Sequence, residues 1–142
     1  MATGAVLSLN HVARETSDVQ RLAKFYQEVL GFDRIEAPPR DFEVVWLTLP
    51  PSFALHIIQR NPDSSLPQSP YNTQAATEKL DPEELQRGHH IAFCVSDFDA
   101  FVRGLKEKGI PAYEKTQQGG KLKQVFFFDP DGNGLEVQWS AS

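Results

Sequence analysis

Residues 6–31, VLSLNHVARETSDVQRLAKFYQEVLG, and residues 89–109, HHIAFCVSDFDAFVRGLKEKG, carry the same order of signals twice. In the first stretch Val6 to Val12 reads as a strand that ends in polar residues through Ser17. Asp18 follows as a helix N-cap, and Val19, Leu22, Phe25, Tyr26, Val29 and Leu30 recur at helical spacing until Gly31 stops the helix. In the second stretch His89 to Val95 is the strand and Asp97 the cap. Phe98, Phe101, Val102 and Leu105 form the apolar stripe, and Gly109 is the stop. His11 and His90 are 79 residues apart, and so are Asp18 and Asp97. Such a repeat is sought before any motif, because it fixes how the remaining elements are grouped.

Each copy is followed by three short apolar runs of strand character. They are Phe32–Ile35, Val44–Leu49 and Phe53–Gln59 in the first, then Ile110–Glu114, Gln124–Phe128 and Leu135–Trp139 in the second. Prolines 38, 39, 50 and 51 punctuate the first set, and an Asp-Pro-Asp-Gly-Asn-Gly turn at 129–134 joins the last two runs. The expected class is therefore α+β, with two βαβββ modules over about 5–60 and 88–140 in one domain spanning 1–142. A polar, proline-bearing linker over about 61–87 separates them. Within it, Asp81-Pro82-Glu83-Glu84 has the cap, first-turn proline and early acids of a short helix start.

The chain has 142 residues, 40% hydrophobic and 23% charged, which fits a soluble globular domain and excludes a disordered chain. Fourteen Lys and Arg against nineteen Asp and Glu leave a net charge of -5, without the basic stripe that a nucleic-acid partner requires. No run approaches the roughly 18 apolar residues of a membrane span, and no basic leader precedes one, so no membrane partner and a cytoplasmic location are expected. Cys94 is the only cysteine, which rules out an intrachain disulfide and a Cys-rich zinc knuckle; it reads as a buried apolar thiol.

Strand parity selects the candidate chemistry, because side chains two apart share a face. Phe53, Leu55 and Ile57 share one face and leave His56 on the other. Ile91, Phe93 and Val95 leave His90 opposite, and Leu135, Val137 and Trp139 leave Glu136 opposite. His11 ends the first strand of its module. His11, His56, His90 and Glu136 thus occupy the first and last strands of each module, and three imidazoles with one carboxylate are a metal-ligand set. His89, one residue out of register, points elsewhere.

Three phrases resemble the glyoxalase I or vicinal oxygen chelate superfamily. Leu9-Asn10-His11-Val12 with the helix end Phe25-Tyr26-Gln27-Glu28-Val29-Leu30-Gly31-Phe32 is similar to its opening. Gly88-His89-His90-Ile91-Ala92-Phe93 resembles its second-module strand, and the run from Phe128 through Asp129-Pro130-Asp131-Gly132-Asn133 to Glu136 resembles its closing signature. The resemblance implies an open, cupped mixed sheet built from both modules and a homodimer. It also implies one divalent ion (Zn, Ni, Co, Mn or Fe) on His11, His90, Glu136 and the position of His56. The implied activity is that of a glyoxalase I-like lyase or isomerase resembling lactoylglutathione lyase. Such an enzyme acts on a small oxygenated, electrophilic substrate, with Glu136 as the catalytic proton carrier.

Two departures bear on the substrate. His56 stands where glyoxalases I carry a glutamate, and Glu15 stands where they carry the arginine that binds the glutamyl carboxylate of glutathione. Arg14, Arg60, Lys121 and Lys123 remain as cations for substrate binding, with Arg14 facing away by parity, and Gly119-Gly120 reads as a lid or an ordinary connection. Two alternatives stay open. One is an extradiol-type iron dioxygenase using His11, His90 and Glu136 as a facial triad; the other is a small-molecule-binding protein without chemistry.

Overall fold

The computed structural model describes residues 4–71 and 80–141, so residues 72–79 of the expected linker lie outside the described residues. The chain divides into two compact units, 1–63 and 64–142, each holding one four-stranded sheet.

The first unit runs β1 (Val12–Thr16), α1 (Val19–Leu30), β2 (Asp33–Ile35), β3 (Val44–Leu49) and β4 (Phe53–Gln59). Its sheet has the order β1-β4-β3-β2, with β1 parallel to β4 and the other pairs antiparallel. The Asp18 carboxylate accepts from Arg21 N at 3.1 Å, which satisfies one orphan donor of the first turn. At the other end Gly31 takes φ +75°, a left-handed position open to glycine, and Phe32 N returns to Tyr26 O at 3.1 Å. The stripe between these caps buries Val19, Leu22, Ala23 and Tyr26 against Val45, Leu47, Leu55 and Ile57. Each of the larger side chains, removed from water, contributes about 1.5–3 kcal/mol.

The second unit runs through a short 3-10 helix (Pro82–Arg87), β5 (Ile91–Cys94), α2 (Phe98–Glu107), β6 (Ala112–Gln117), β7 (Leu122–Phe128) and β8 (Gly134–Ser140). The sheet order is β5-β8-β7-β6, with β5 parallel to β8. Asp97 caps α2 through Ala100 N at 3.0 Å, and Phe98, Val102 and Leu105 are its buried residues. Val125, Phe126 and Phe127 are consecutive and all buried, so β7 is covered on both faces. The Asp81 carboxylate caps the 3-10 helix through Glu83 N, as its sequence signature anticipates. No helix among the described residues is long and apolar enough to cross a membrane.

Three expectations are corrected. The first strand is not 6–12 but Val12–Thr16, with Val6 and Leu7 each 93% exposed. Its partner explains this: β1 lies parallel to β4 from Val12↔Leu55 onward, and β4 itself starts at Phe53, so the upstream apolar residues have no ladder to join. Cys94 is exposed rather than buried, because it lies with Ala92 on the face of the edge strand β5 opposite Phe93, away from the helix side. Gly119 and Gly120, at φ +64° and +91°, form with Gln118 a tight hairpin turn that closes the pair Gln117↔Leu122. That turn carries β6 on to Gln117, beyond the Glu114 end read from the sequence.

Candidate functional site

In the first unit His56 projects from the middle of β4, on the face opposite buried Leu55 and Ile57. Its neighbour across the ladder is Trp46, and the two rings stack with centroids 4.2 Å apart and planes 3° from parallel. His11, just before β1, stacks on the other side of His56 at 4.0 Å and 16°, and its Nδ1 lies 2.7 Å from Asn10 Oδ1. The three-ring stack desolvates His56, which lowers its pKa. The neighbouring His11 and the positive charge of Arg40 push in the same direction. The neutral imidazole is the form that can donate a lone pair. Imidazole lone pairs lie in the ring plane, so two nearly parallel rings do not aim at one point. Binding a common ion requires one of the pair to turn.

In the second unit His90 Nε2 lies 3.0 Å from Glu136 Oε1, and the Glu136 residue is only 4% exposed. His90 Nδ1 is 2.9 Å from Gly88 O. A carbonyl only accepts, so Nδ1 carries the hydrogen and the Nε2 of a neutral imidazole is a lone pair. That lone pair faces a carboxylate oxygen, another acceptor. A proton or a cation between them removes the clash. Donors on one divalent ion at about 2.0–2.2 Å stand roughly 3 Å apart when they are neighbours, so this pair has the spacing of adjacent ligands. The second carboxylate oxygen is held separately: Gln124 Nε2 donates to Glu136 Oε2 at 3.2 Å, and Gln117 Nε2 donates to Gln124 Oε1 at 2.6 Å.

The structure brings together His11 with His56, and His90 with Glu136, as two pairs of donors of the expected chemistry. Among the described residues no group of three or more His, Cys, Asp or Glu side chains is placed to hold an ion. His89 is exposed.

The proposed substrate cations separate. Arg60 follows β4 and forms an ion pair with Glu15, whose carboxylate also accepts from Asn61 N at 2.9 Å. Glu15 is held below the usual carboxylate range, first by that backbone N–H and then by Arg60, against an opposing effect of burial. Lys123 extends toward the helix side of its sheet, 3.7 Å from Asp99 of α2 and 5.6 Å from the Trp139 ring centroid. It is one residue from Gln124 and therefore on the face opposite Glu136. Arg14 pairs with Ile57 in the ladder and so shares the helix face, with its Nε buried and unpartnered. Lys121 is exposed beside the hairpin turn.

Trp46, Gln124 and Arg40 escaped the sequence reading. The register Trp46↔His56 and the register Phe126↔Glu136, which sets Gln124 on the Glu136 face, were the signals that would have located the first two.

Two βαβββ units, each with its first strand parallel to its last in a four-stranded sheet, define a class of small α+β proteins. Residues 8–137 match the Glyoxalase/Bleomycin resistance protein/Dioxygenase superfamily, and the chain belongs to that family. Glyoxylase I 4 of Arabidopsis thaliana is 30% identical over 92% of this chain and 69% of its own. The lactoylglutathione lyase of Schizosaccharomyces pombe is 29% identical over 91% of this chain; the match spans only 46% of that protein. Among solved structures, TnmS3, an antibiotic binding protein from Streptomyces sp. CB03234, superposes with a TM-score of 0.67 over 98% of this chain and 100% of that one. At 18% identity it shares the fold alone.

Proposed function

We propose that the protein is a metal-dependent lyase or isomerase of the glyoxalase I-like kind, acting on a small oxygenated, electrophilic substrate. His11, His56, His90 and Glu136 hold one divalent ion. The observation that carries this reading is the His90 Nε2 to Glu136 Oε1 contact, an imidazole nitrogen 3.0 Å from a buried carboxylate oxygen, the spacing of neighbouring ligands on one ion. When bound, the ion polarises neighbouring substrate oxygens and stabilises the charge that develops on them.

The chain's own groups do the rest. The Gly88 carbonyl fixes the hydrogen on His90 Nδ1 and so aims Nε2 inward. Gln124 steadies the Glu136 carboxylate through Oε2, and that carboxylate is the group placed to take a proton from the carbon beside the substrate carbonyl and return it to the adjacent carbon. Burial of Glu136 keeps bulk water from competing for that proton. Glu15 stands where a glutathione enzyme carries an arginine, and its ion pair with Arg60 leaves that place without a free positive charge for a glutamyl carboxylate, which counts against a glutathione adduct as the substrate. The working form in this reading is a cytoplasmic homodimer.

The test is metal analysis followed by an exchange assay. Purified protein loaded with zinc, nickel or cobalt is expected to hold one ion per chain, lost on His11→Ala and on His90→Ala. Solvent deuterium is expected to enter the carbon beside the carbonyl of a small hydroxyketone, and Glu136→Gln is expected to abolish that exchange. Protein that takes up none of the three metals, or whose uptake ignores both histidines, rejects the reading. Turnover of methylglyoxal with glutathione by the metal-loaded chain assigns the substrate to the glutathione adduct; none with any of the three metals eliminates it.

A further inference from the structure

In the first unit a cavity of about 400 Å³ lies beside the His56 stack. The sheet register shows which face it opens on. Ile35 pairs with Trp46, and Trp46 with His56, so these three side chains share one side of the sheet, and Val44, paired with Ile58, joins them. Ile35, Val44 and Trp46 give the cavity an apolar floor, and the loop between β2 and β3 forms its wall. Ile35 and Phe42 are each 43% exposed, more than large apolar side chains on a fully packed face show.

Arg40 stands in that wall. It makes no hydrogen bond or ion pair with a described residue, whereas Arg34 on the same cavity donates to Gln20 and Glu43 accepts from Gln20. Glu36 borders the cavity without pairing to Arg40. A guanidinium without a carboxylate partner, over an apolar floor that continues into the His56–Trp46 stack, matches a ligand with an oxyanion at one end and a flat apolar body.

We propose that Arg40 is a specificity residue that binds the oxyanion of an organic acid whose apolar body lies on Ile35, Val44 and Trp46. This names the substrate class of the proposed centre and rests on His56 belonging to it.

The full chain is titrated with benzoate, phenylphosphonate and the neutral benzamide, once loaded with zinc and once after chelation. The indole N–H resonances of Trp46 and Trp139 are followed by NMR. At least one of the acids is expected to shift Trp46 and leave Trp139 unmoved, and benzamide to bind more weakly by about tenfold or more. Arg40→Ala is expected to weaken the acid by about tenfold, the scale of one charge-assisted hydrogen bond, and Arg40→Lys to retain part of the binding. Equal binding of acid and amide, indifference to Arg40→Ala, or no Trp46 shift with any probe overturns the proposal. Arg40-dependent acid binding by a chain that takes up no zinc sinks the metal reading and leaves this one standing. Zinc uptake without Arg40-dependent acid binding does the reverse.

Discussion

His90 Nε2 and Glu136 Oε1 stand 3.0 Å apart, and that single contact has a measurable consequence. Glu136→Gln keeps the shape of the side chain and removes the carboxylate charge that a divalent ion requires. The variant is therefore expected to lose zinc affinity by at least about a hundredfold, read by competition with a chelator. His56 offers a second measurement. Its pKa lies below the ordinary histidine value through burial first, then His11 and Arg40. In an NMR titration of its ring protons, Arg40→Ala is expected to raise the midpoint without restoring the ordinary value, because burial remains. Glu15 works with the usual carboxylate sign. Its lowered pKa adds stability that is complete above the ordinary carboxylate range and is lost as pH falls through the depressed value. Glu15→Gln is expected to flatten that acid limb and to cost about 1 kcal/mol near neutral pH, read from urea unfolding at stepped pH.

Helix boundaries were legible because local chemistry alone sets them. Asp18 and Asp97 accept from the third residue on, and Gly31 and Gly109 take positive φ where the helices end. Replacing Asp97 by Ala is expected to cost about 1 kcal/mol, checked by urea unfolding. The strands β3 and β4 were legible for a similar reason: Pro50 and Pro51 cut the apolar run between them. β1 was not, since Val6, Leu7 and Leu9 look like a strand until one knows that β4 begins too late to pair with them. The same dependence on a distant partner hid Trp46 and Gln124, whose roles follow from ladder register rather than from spacing. Parity was never applied to Lys123 because the strand was read from Gln124, two residues short of its start at Leu122. Parity did place His56, His90 and Glu136 on the faces where they are found. The 129–134 turn is the most demanding element. Asp129 Oδ1 accepts from Asp131 N and Asn133 N, and Oδ2 from the Asn133 side chain, all within a buried segment. Asp129→Ala strands several buried donors at about 1–3 kcal/mol each and is expected to lower the unfolding midpoint more than any cap substitution.

At the scale of the whole molecule, each of the two units carries two residues of the proposed ligand set. An ion bound by the folded chain and not by the unfolded one stabilises the fold by about 2.7 kcal/mol at a hundred times its Kd. Zinc is therefore expected to raise the thermal midpoint in a single transition, with His56→Ala and His90→Ala each removing the increase; a rise that survives either change assigns the ion elsewhere. The buried turn also bears on how long the molecule lasts. Asp131-Gly132 and Asn133-Gly134 are sequences whose side chains cyclise onto the following backbone nitrogen, the slow chemistry by which proteins age. Here the Gly132 nitrogen donates to Asp129 O at 3.0 Å. That nitrogen is thus withheld from the Asp131 side chain while the turn holds, so isoaspartate at Asp131 accumulates through openings of this turn and serves as a clock for them.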